Sequence, residues 1–267
     1  MQAYDTIVVV GGGCYGSYYV RQLGRAAVAG ALSFERVVVV DKDPACRIAV
    51  DRPADIDASR LELVVDGWTS FFDEYLGRAA ASTESGDAIV PSPLMPHLLY
   101  QWLLRRAQAR WPDRLVATRP LGGGPDVPWK RDAPDGTQYV SFAEWMCPVN
   151  CIEPARCPKT RGDRSWSLPP TVERFAAAER SRGRTLAGPA IFHCTHRAYG
   201  VGMIDVRDVV AADRLVSAEG ARGATAVLVG TVSHCHGALS VLELGEWQSD
   251  AGNEAAHSRP RLEGART

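Results

Sequence analysis

Short runs of apolar, β-branched residues alternate with stretches of helical periodicity through the first 118 residues of the chain. The apolar runs predict strands at residues 6–10, 36–41, 61–66, 88–91 and 114–118. Between the first two, Tyr15, Tyr19, Leu23 and Ala27 recur every fourth residue and predict a helix that ends near Gly30. Further helices are predicted over residues 68–80 and 93–110. This alternation is typical of an α/β protein with a mostly parallel sheet.

The second half of the chain begins by breaking this rhythm. Residues 119–138 are rich in glycine and proline, and the Pro134-Asp135-Gly136 turn predicts a hairpin or an excursion from the sheet. Strands at 190–194 and 225–234 flank a predicted helix over 205–219, and such a β-α-β unit implies parallel strands joined by a right-handed crossover. The other predicted elements are strands at 139–146 and 238–244 and a helix over 171–182.

Three glycines separate the first predicted strand from the helix after it. Gly11, Gly13 and Gly16 fit the pattern G-x-G-x-x-G. The first glycine of this pattern permits a tight turn, the second lets the backbone approach a pyrophosphate, and the third lets helix and strand pack closely. Because the helix amino terminus also presents free N–H groups to an anion, the loop predicts dinucleotide binding, against the alternative of an ordinary glycine turn.

Acidic residues end the next two predicted strands. Asp41 lies 25 residues after Gly16, where a carboxylate accepts hydrogen bonds from the adenosine ribose and disfavours a 2'-phosphate. The prediction is therefore NAD, and Lys42 beside Asp41 leaves NADP as the alternative. The predicted cofactor-binding residues are Gly11, Gly12, Gly13, Tyr15, Gly16, Asp41, Lys42, Asp66 and Ser92.

The segments IVVVGGGCYGSYYVRQL, VVVVDKDPACR and LVVDGW are similar to the NAD-binding domains of Trk-type potassium-transport regulators. Those domains also carry a DKDP-like turn after the second strand and an Asp after the third, and the resemblance covers about residues 4–110. It implies that the glycine loop and Asp41 hold the dinucleotide, with Asp66 near the adenine. It also implies a domain that senses nucleotide without transferring hydride.

Together these features predict a Rossmann-like, doubly wound α/β fold with a mostly parallel sheet and a Cys/His-rich insertion and extension. Residues 1–118 are predicted to form the dinucleotide-binding domain, and residues 119–245 an α/β extension that continues the same sheet. Residues 246–267 are polar and lack periodicity, so we expect a disordered tail.

Three of the seven cysteines fall within CPVNCIEPARC, as Cys147, Cys151 and Cys157. Prolines in and beside this segment exclude a regular helix and predict a stiff loop. The spacing C-x3-C-x5-C lacks the C-x2-C-x2-C triplet of bacterial ferredoxins and differs from that of a zinc knuckle. Neighbouring basic residues favour thiolates. A zinc or iron–sulfur site, a reactive thiol switch and a loop of packed thiols all stay open.

Imidazoles and thiols also follow two predicted strands, in the sequences HCTH at 193–196 and HCH at 234–236. If the strand conformation persists, Cys194 and His196 share one face, while His234 and His236 share a face opposite to Cys235. A metal site could draw on Cys194 or His196 together with His234 and His236, or Cys194 could complete a four-thiolate set with the loop cysteines, and the sequence leaves both alternatives open. The predicted ligands or general acid–base groups are His193, His196, His234 and His236. The alternative for each is an ordinary hydrogen-bonded structural histidine.

Composition limits the partners. A net charge of -1 and a pI near 6.6 leave no global field to attract nucleic acid or acidic lipid. No apolar run approaches the roughly 20 residues that span a bilayer, and the amino terminus lacks the basic and apolar regions of a signal peptide. We therefore expect a cytoplasmic protein that acts on a small-molecule substrate or effector. The oligomeric state stays open, and a homodimer is one of the alternatives.

All these candidate residues follow predicted strands, and ligands of open parallel sheets bind beyond the carboxyl ends of the strands. We therefore expect the glycine loop, the acids, the cysteine loop and the histidines to share one crevice. The sequence predicts an NAD-binding protein of oxidoreductase type with a Cys/His metal or iron–sulfur site at this edge. The alternatives are a non-catalytic NAD- or redox-sensing regulatory protein and a scaffold that binds neither ligand.

Overall fold

The computed structural model describes residues 2–81, 86–145, 147 and 151–247. The strands in this part are β1 (Gln2–Val10), β2 (Leu32–Asp41), β3 (Leu61–Val65), β4 (Ala88–Val90), β5 (Arg114–Arg119), β6 (Trp129–Asp132), β7 (Gln138–Ser141), β8 (Ala187–His193), β9 (Thr195–Ala198), β10 (Val201–Asp205), β11 (Thr225–Val232) and β12 (His236–Trp247). The α-helices are α1 (Cys14–Val28), α2 (Arg47–Val50), α3 (Trp68–Ala81), α4 (Leu98–Arg110), α5 (Leu168–Ser181) and α6 (Val206–Arg222). The chain is thus a mixed α/β protein.

The first sheet has the strand order β3-β2-β1-β4-β10-β9, and β1 to β4 are parallel. Its valine-rich strands are buried on both faces because side chains alternate across a sheet. Val8 and Val38 point into a core shared with α3, α4 and α6, whereas Val9 and Val39 point into a core shared with α1. The continuous apolar runs of the sequence therefore reflect burial on two sides.

The second sheet has the order β6-β7-β12-β11-β8, with β5 also paired to β12. Helix α5 packs on one face, where Leu168 and Val172 join Leu228 and Leu239 of the sheet in a third core. The opposite face supplies Phe192, Val227 and Leu242 to the core that contains α4 and α6. These two helices therefore form a layer that both sheets share.

Several predicted connections are confirmed. Strands β8 and β11 are parallel neighbours, as the predicted β-α-β unit required, and α6 lies between them in the chain. The Pro134-Asp135-Gly136 turn joins β6 and β7 in an antiparallel hairpin.

Other expectations about the sheets are wrong. Strand β5, which we predicted in the first sheet, pairs antiparallel with β12 in the second. Residues after 118 do not simply continue the first sheet, because only β9 and β10 join it, and β10 pairs antiparallel with β4. The hairpin of β9 and β10 was not predicted. Periodicity reports which faces of a strand are buried, and does not report which strand lies beside it.

The ends of two predicted elements also differ. Strand β12 includes Glu246 and Trp247, so the tail predicted to be disordered from residue 246 begins with two strand residues, of which Trp247 pairs with Arg114 of β5. The remainder of the tail lies outside the described residues. Strand β7 stops at Ser141, five residues before the predicted end at residue 146, which itself lies outside the described part. No helix in the described part combines the length and apolar character needed to cross a membrane.

Arg114 at the start of β5 ties the end of α6 to β12. The arginine is 5% exposed, and its guanidinium donates to the carbonyl oxygens of Gly220, Gly223 and Gly245 at 2.7, 2.8 and 2.9 Å. The same group lies over the ring of Trp247 at 4.9 Å. The planar fork of an arginine suits this task because it presents several donors in fixed directions. One side chain thus satisfies carbonyls that would otherwise be buried without partners.

We expect Arg114→Ala to lower the free energy of unfolding by about 3 kcal/mol, because it leaves buried carbonyl oxygens unpaired. Urea unfolding followed by circular dichroism measures the loss. Arg78→Ala is the control, since Arg78 is exposed and, within the part of the chain that the structure describes, pairs only with Glu74 one turn away. It should change stability by less than about 0.5 kcal/mol. Equal losses in the two variants would contradict this role of Arg114.

Candidate functional site

The glycine loop joins the end of β1 to the start of α1. Gly11 has φ +89°, a conformation that favours glycine, and a Cβ on Gly16 would lie 1.8 Å from the Gly11 carbonyl oxygen. The backbone N–H of Gly12 donates to Asp41 Oδ2 at 2.7 Å, so the carboxylate at the end of β2 holds the loop. A Cβ on Gly13 would meet no atom within 4 Å. The loop backbone at Gly11 therefore packs closely against the start of α1 at Gly16, and the space beside Gly13 is free of protein atoms.

The other predicted cofactor-binding residues lie close by in the fold. The N–H of Asp66 donates to the carbonyl oxygen of Asp41 at 3.1 Å, so the ends of β2 and β3 are side by side. The Asp66 carboxylate also accepts from the N–H of its neighbour Gly67 and from the Ser70 hydroxyl in the first turn of α3, both at 2.6 Å. Lys42 is exposed, as is Tyr15 in the first turn of α1, while the Ser92 hydroxyl accepts from the N–H of Leu94 after β4 at 3.3 Å.

Glu153 lies at the centre of the Cys/His residues of the second half. Its side chain is 6% exposed, and its two carboxylate oxygens accept from the backbone N–H groups of His234 and Cys235 at 3.2 and 3.3 Å. Glu153 Oε2 also lies 3.8 Å from Nδ1 of His196. One buried carboxylate therefore holds the HCH turn and faces the HCTH segment. We call the set the Glu153 cluster: Glu153, Cys147, His193, Cys194, His196, His234, Cys235 and His236.

The topology of the second sheet brings these residues together. Strands β8 and β11 are parallel, so His193 at the end of β8 lies beside the turn that follows β11, and the rings of His193 and His234 are 4.9 Å apart. Strand β12 starts at His236, which pairs with Ser141 at the end of β7. The cysteine loop follows β7, so it returns to the same edge. This convergence at the strand ends agrees with the sequence prediction.

A hydrogen-bonded chain runs from Ser141 through His236 to Cys147. The Ser141 hydroxyl lies 2.9 Å from His236 Nδ1, and Nε2 of the same ring lies 3.3 Å from Cys147 Sγ. The hydroxyl also donates to the Ala143 carbonyl oxygen at 2.8 Å, which fixes its position. The imidazole is thus oriented on one side and in contact with a thiol on the other, the arrangement of a proton-transfer pair or of two metal ligands.

Burial keeps the imidazoles of the cluster uncharged. It lowers the pKa of each of them, because a charged ring would lose its hydration: His193, His196, His234 and His236. Among the described residues, no hydrogen-bond partner meets Nε2 of His193 or Nδ1 of His196. Neutral imidazoles with a free ring nitrogen can accept a proton or coordinate a metal.

The thiols of the cluster are likewise protonated. Burial raises the pKa of Cys147, and it raises the pKa of Cys194 to about 12 and that of Cys235 to about 11. Burial alone would also raise the pKa of Glu153. The Ser233 hydroxyl, the His196 imidazole and the His234 N–H together hold it below the usual value. Glu153 is therefore a carboxylate surrounded by uncharged groups.

The predicted alternation of side chains holds for one segment and is wrong for the other. A Cβ on Gly202 would lie 2.6 Å from Cys194 Sγ and 3.2 Å from His196 Nε2, so both side chains pack over Gly202 as predicted. Strand β11, however, ends at Val232, and the next three residues form a turn. His234 therefore bonds to Ser167 at 2.9 Å, away from the Ser141 that holds His236.

The four cysteines predicted as metal ligands are not assembled as one set. Cys157 is buried in a separate turn, where a hydrogen bond from the backbone N–H of Thr160 lowers the pKa of its thiol. Cys151 Sγ accepts a hydrogen bond from the N–H of Glu153 at 3.4 Å. Cys194 instead packs beside His196 over Gly202. Within residues 2–81, 86–145, 147 and 151–247, no group of three His, Cys, Asp or Glu side chains has the arrangement of a metal site.

A cleft of about 650 Å3 joins the first half of the chain to the Glu153 cluster. Tyr15 and Tyr19 of α1 and Leu94 after β4 form one side. The cluster side is lined by Cys147, Cys151, Glu153, His196 and His236. Part of the predicted crevice is therefore present. Among the described residues, the lining excludes the glycines at 11–13 and 16. It also excludes these other predicted site residues: Asp41, Lys42, Asp66, Ser92, Cys157, His193, Cys194 and His234.

Sequence reasoning missed the residue on which the cluster depends. Glu153 lies between two of the predicted cysteine ligands, and the spacing of those cysteines does not indicate a role for it. Its backbone has φ +47°, a left-handed conformation that is uncommon outside glycine, and no pattern in the sequence indicates it. Ser141 and Ser167, which orient the two histidines of that turn, were also missed. A lone acid within a cysteine-rich loop was the available signal.

Fold and site together define a mixed α/β protein with a glycine loop after its first strand and a carboxylate–imidazole–thiol cluster at the edge of its second sheet. The chain belongs to the family described as "Uncharacterized protein, C-terminal domain" (AF_1314_C), whose profile matches residues 99–245. The matched segment contains the whole Glu153 cluster and none of the glycine loop. No curated protein and no solved structure matches the chain.

We expect Glu153→Gln to lower the free energy of unfolding by about 2 kcal/mol at pH 7, because a buried charge-assisted set of hydrogen bonds is weakened. The folded-state pKa of Glu153 lies below the ordinary value of 4.5, so the carboxylate stabilises the fold above pH 4.5. That contribution is lost as the pH falls through the folded pKa. The difference between variant and wild type should therefore shrink in acid, as measured by urea unfolding at several pH values.

Glu173→Gln provides the matched control, because it makes the same chemical change at an exposed position of α5. It should leave stability within about 0.5 kcal/mol of wild type at every pH. A loss in Glu153→Gln that does not vary with pH would show that the charge of Glu153 is not what stabilises the turn.

Proposed function

We propose that the protein binds NAD at the glycine loop and is of oxidoreductase type, with the Glu153 cluster next to the cofactor. The observation that carries the proposal is the geometry of the loop. Gly11 and Gly16 are in contact, and the N–H of Gly12 is held by the carboxylate that ends β2. Glycine is required at position 16 because any side chain would collide with the loop backbone.

The order of the parallel strands supports the finer part of this proposal. The strand order β3-β2-β1-β4 matches that of the first four strands of a Rossmann-like, doubly wound sheet, in which the loop after β1 holds the pyrophosphate. The open space in front of Gly13 and the start of α1 suit that anion. Asp41, at the end of β2, has lone pairs left for the ribose hydroxyls after its bonds to Gly12 and Asp43.

The cleft gives the proposed reaction its acid–base groups. Bound NAD would supply the hydride donor or acceptor. His196 and His236 both line the cleft and are held uncharged by burial, so either can take the proton that leaves a substrate hydroxyl. The cleft volume of about 650 Å3 suits a small-molecule substrate.

A metal ion is a second candidate ligand, favoured by the contact of 3.3 Å between Cys147 Sγ and His236 Nε2. Thiolate and neutral imidazole are both common ligands of zinc, and metal binding would displace the proton from the thiol. Zinc and an iron–sulfur cluster both remain part of this proposal, with Cys147 as its first ligand.

The alternative function is a non-catalytic sensor of NAD or redox state. The resemblance of the first half to Trk-type nucleotide-binding domains favours it, and so do the thiols that line the cleft. Both functions require NAD binding. Only the oxidoreductase consumes NADH when a carbonyl compound or an electron acceptor is present.

We expect Gly13→Ala to weaken NAD binding at least tenfold without destabilising the protein. The added methyl group meets no protein atom within 4 Å, so it should occupy only the space proposed for the pyrophosphate. Calorimetric titration with NAD measures the affinity, and the same titration with NADP tests the choice attributed to Asp41. A tenfold change corresponds to about 1.4 kcal/mol of binding free energy.

Gly77→Ala in α3 is the matched control. Its Cβ has room, since the nearest atom is a guanidinium nitrogen of Arg106 at 3.9 Å, and a helical Gly→Ala change is expected to stabilise. It should leave NAD affinity unchanged. The proposal fails if wild type does not bind NAD, or if both variants bind it as tightly as wild type.

Metal analysis and a visible spectrum of protein purified anaerobically test the second candidate ligand. We expect about one zinc ion or one iron–sulfur cluster per chain, reduced severalfold in Cys147→Ser and unchanged in Cys14→Ser, because Cys14 is exposed on α1. A colourless protein without metal rejects this candidate, and so does equal metal content in both variants.

A further inference from the structure

A groove of about 1290 Å3 lies between α5 and the turn at residues 122–124, and the function proposed above does not use it. Its lining is unusually basic. It includes Arg164, Arg174, Arg182 and Arg184, against the acids Asp126 and Glu179. This excess of guanidinium groups occurs in a chain whose net charge is -1, so the positive charge is a local property of the groove.

Two of the arginines are available for a ligand. Arg182 and Arg184 both pair with the buried carboxylate of Glu179, at 2.7 and 2.9 Å. Arg164 donates through Nε to the Pro154 carbonyl oxygen, and Arg174 donates to the hydroxyl of Thr171. Within the described part of the chain, neither Arg164 nor Arg174 forms an ion pair, and each keeps free N–H groups. Guanidinium groups of this kind bind phosphate in a bidentate manner.

Polar groups near these arginines also line the groove, although the Thr171 hydroxyl already donates to the Ser167 carbonyl oxygen at 2.9 Å. Ser165 and Thr171 line it next to Arg164 and Arg174, and Gly122 to Gly124 line the facing wall. Gly123 has φ +142°, and a Cβ there would meet no atom within 4 Å, so the backbone of the turn is accessible at this residue. The start of α5 contributes little, because Pro169 and Pro170 carry no N–H. The guanidinium groups therefore account for most of the expected attraction.

Aromatic side chains supply an apolar surface in the same groove. Phe142 and Trp166 stack with ring centroids 6.3 Å apart, and Phe175 of α5 also lines the groove. A ligand that carries only charge would leave these rings unused. An aromatic or apolar group attached to a phosphate would cover them and gain affinity from burial.

We propose that this groove binds a small phosphate monoester, with its phosphate on Arg164 and Arg174 and its organic part on Phe142, Trp166 and Phe175. His234 lines the groove through a ring held by Ser167, while its backbone N–H is bound to Glu153. A ligand here would therefore contact a residue of the Glu153 cluster. The inference does not depend on NAD binding, since it uses none of the residues of the glycine loop.

Titration of the full chain with inorganic phosphate and with phenyl phosphate, in the absence of nucleotide, tests the proposal. We expect phenyl phosphate to bind at least tenfold more tightly than phosphate, because only the ester covers the aromatic surface. Arg174→Gln should weaken both ligands at least tenfold, and the double variant Arg164→Gln/Arg174→Gln more than that. Isothermal calorimetry gives the affinities.

Arg174→Gln suits this test because Arg174 is exposed and, among the described residues, bonds only to Thr171 on its own helix, so the variant should fold. Arg78→Gln on α3 is the matched control and should bind both ligands like wild type. Absence of binding by wild type overturns the proposal, as do equal affinities in Arg174→Gln and Arg78→Gln. If Gly13→Ala lowers phenyl phosphate affinity instead, the ligand occupies the glycine loop and the assignment to this groove is wrong.

Discussion

The buried carboxylate of Glu153 is the constraint on which the second half of the structure depends. A charge so far from water must be compensated, and here the N–H groups of His234 and Cys235 compensate it. These bonds fix the turn after β11, so they also fix where β12 begins and which residue of β7 faces His236. The cysteine loop supplies the carboxylate, and the sheet supplies the donors. Loop and sheet therefore hold each other in place.

Much of the fold could be predicted from the sequence because its strands are buried on both faces. Continuous apolar runs such as Val37 to Val40 are typical of a central parallel strand, and these residues form part of β2, which is parallel to β1. The unpredicted hairpin of β9 and β10 is short and follows β8 after a single residue, so no turn signal separates it. The placement of β5 beside β12 joins residues more than a hundred positions apart. Local patterns carry no information about such distant pairing.

The site was predictable where chemistry is tied to strand ends, and unpredictable where it depends on turns. His193 lies at the end of β8 and meets the turn after β11, as parallel neighbours require. His234 and His236 point to different partners because the strand stops at Val232 before reaching them. Glu153 was missed for the same reason, since a left-handed residue in a proline-rich loop follows no periodicity. Alternation rules end where the ladder of hydrogen bonds ends.

The position of the cluster follows from the way the chain passes between the two sheets. Strand β8 belongs to the second sheet and β9 to the first, and only Cys194 separates them. The N–H of Cys194 donates to the carbonyl oxygen of Val232 in β11, so this residue contacts the second sheet. His196, two residues later, pairs with Gly202 of β10, the strand beside β4 in the first sheet. The HCTH segment thus lies at the seam of the sheets. Because β4 adjoins β1, this seam places the cluster beside α1, whose Tyr15 and Tyr19 line the same cleft as His196 and His236.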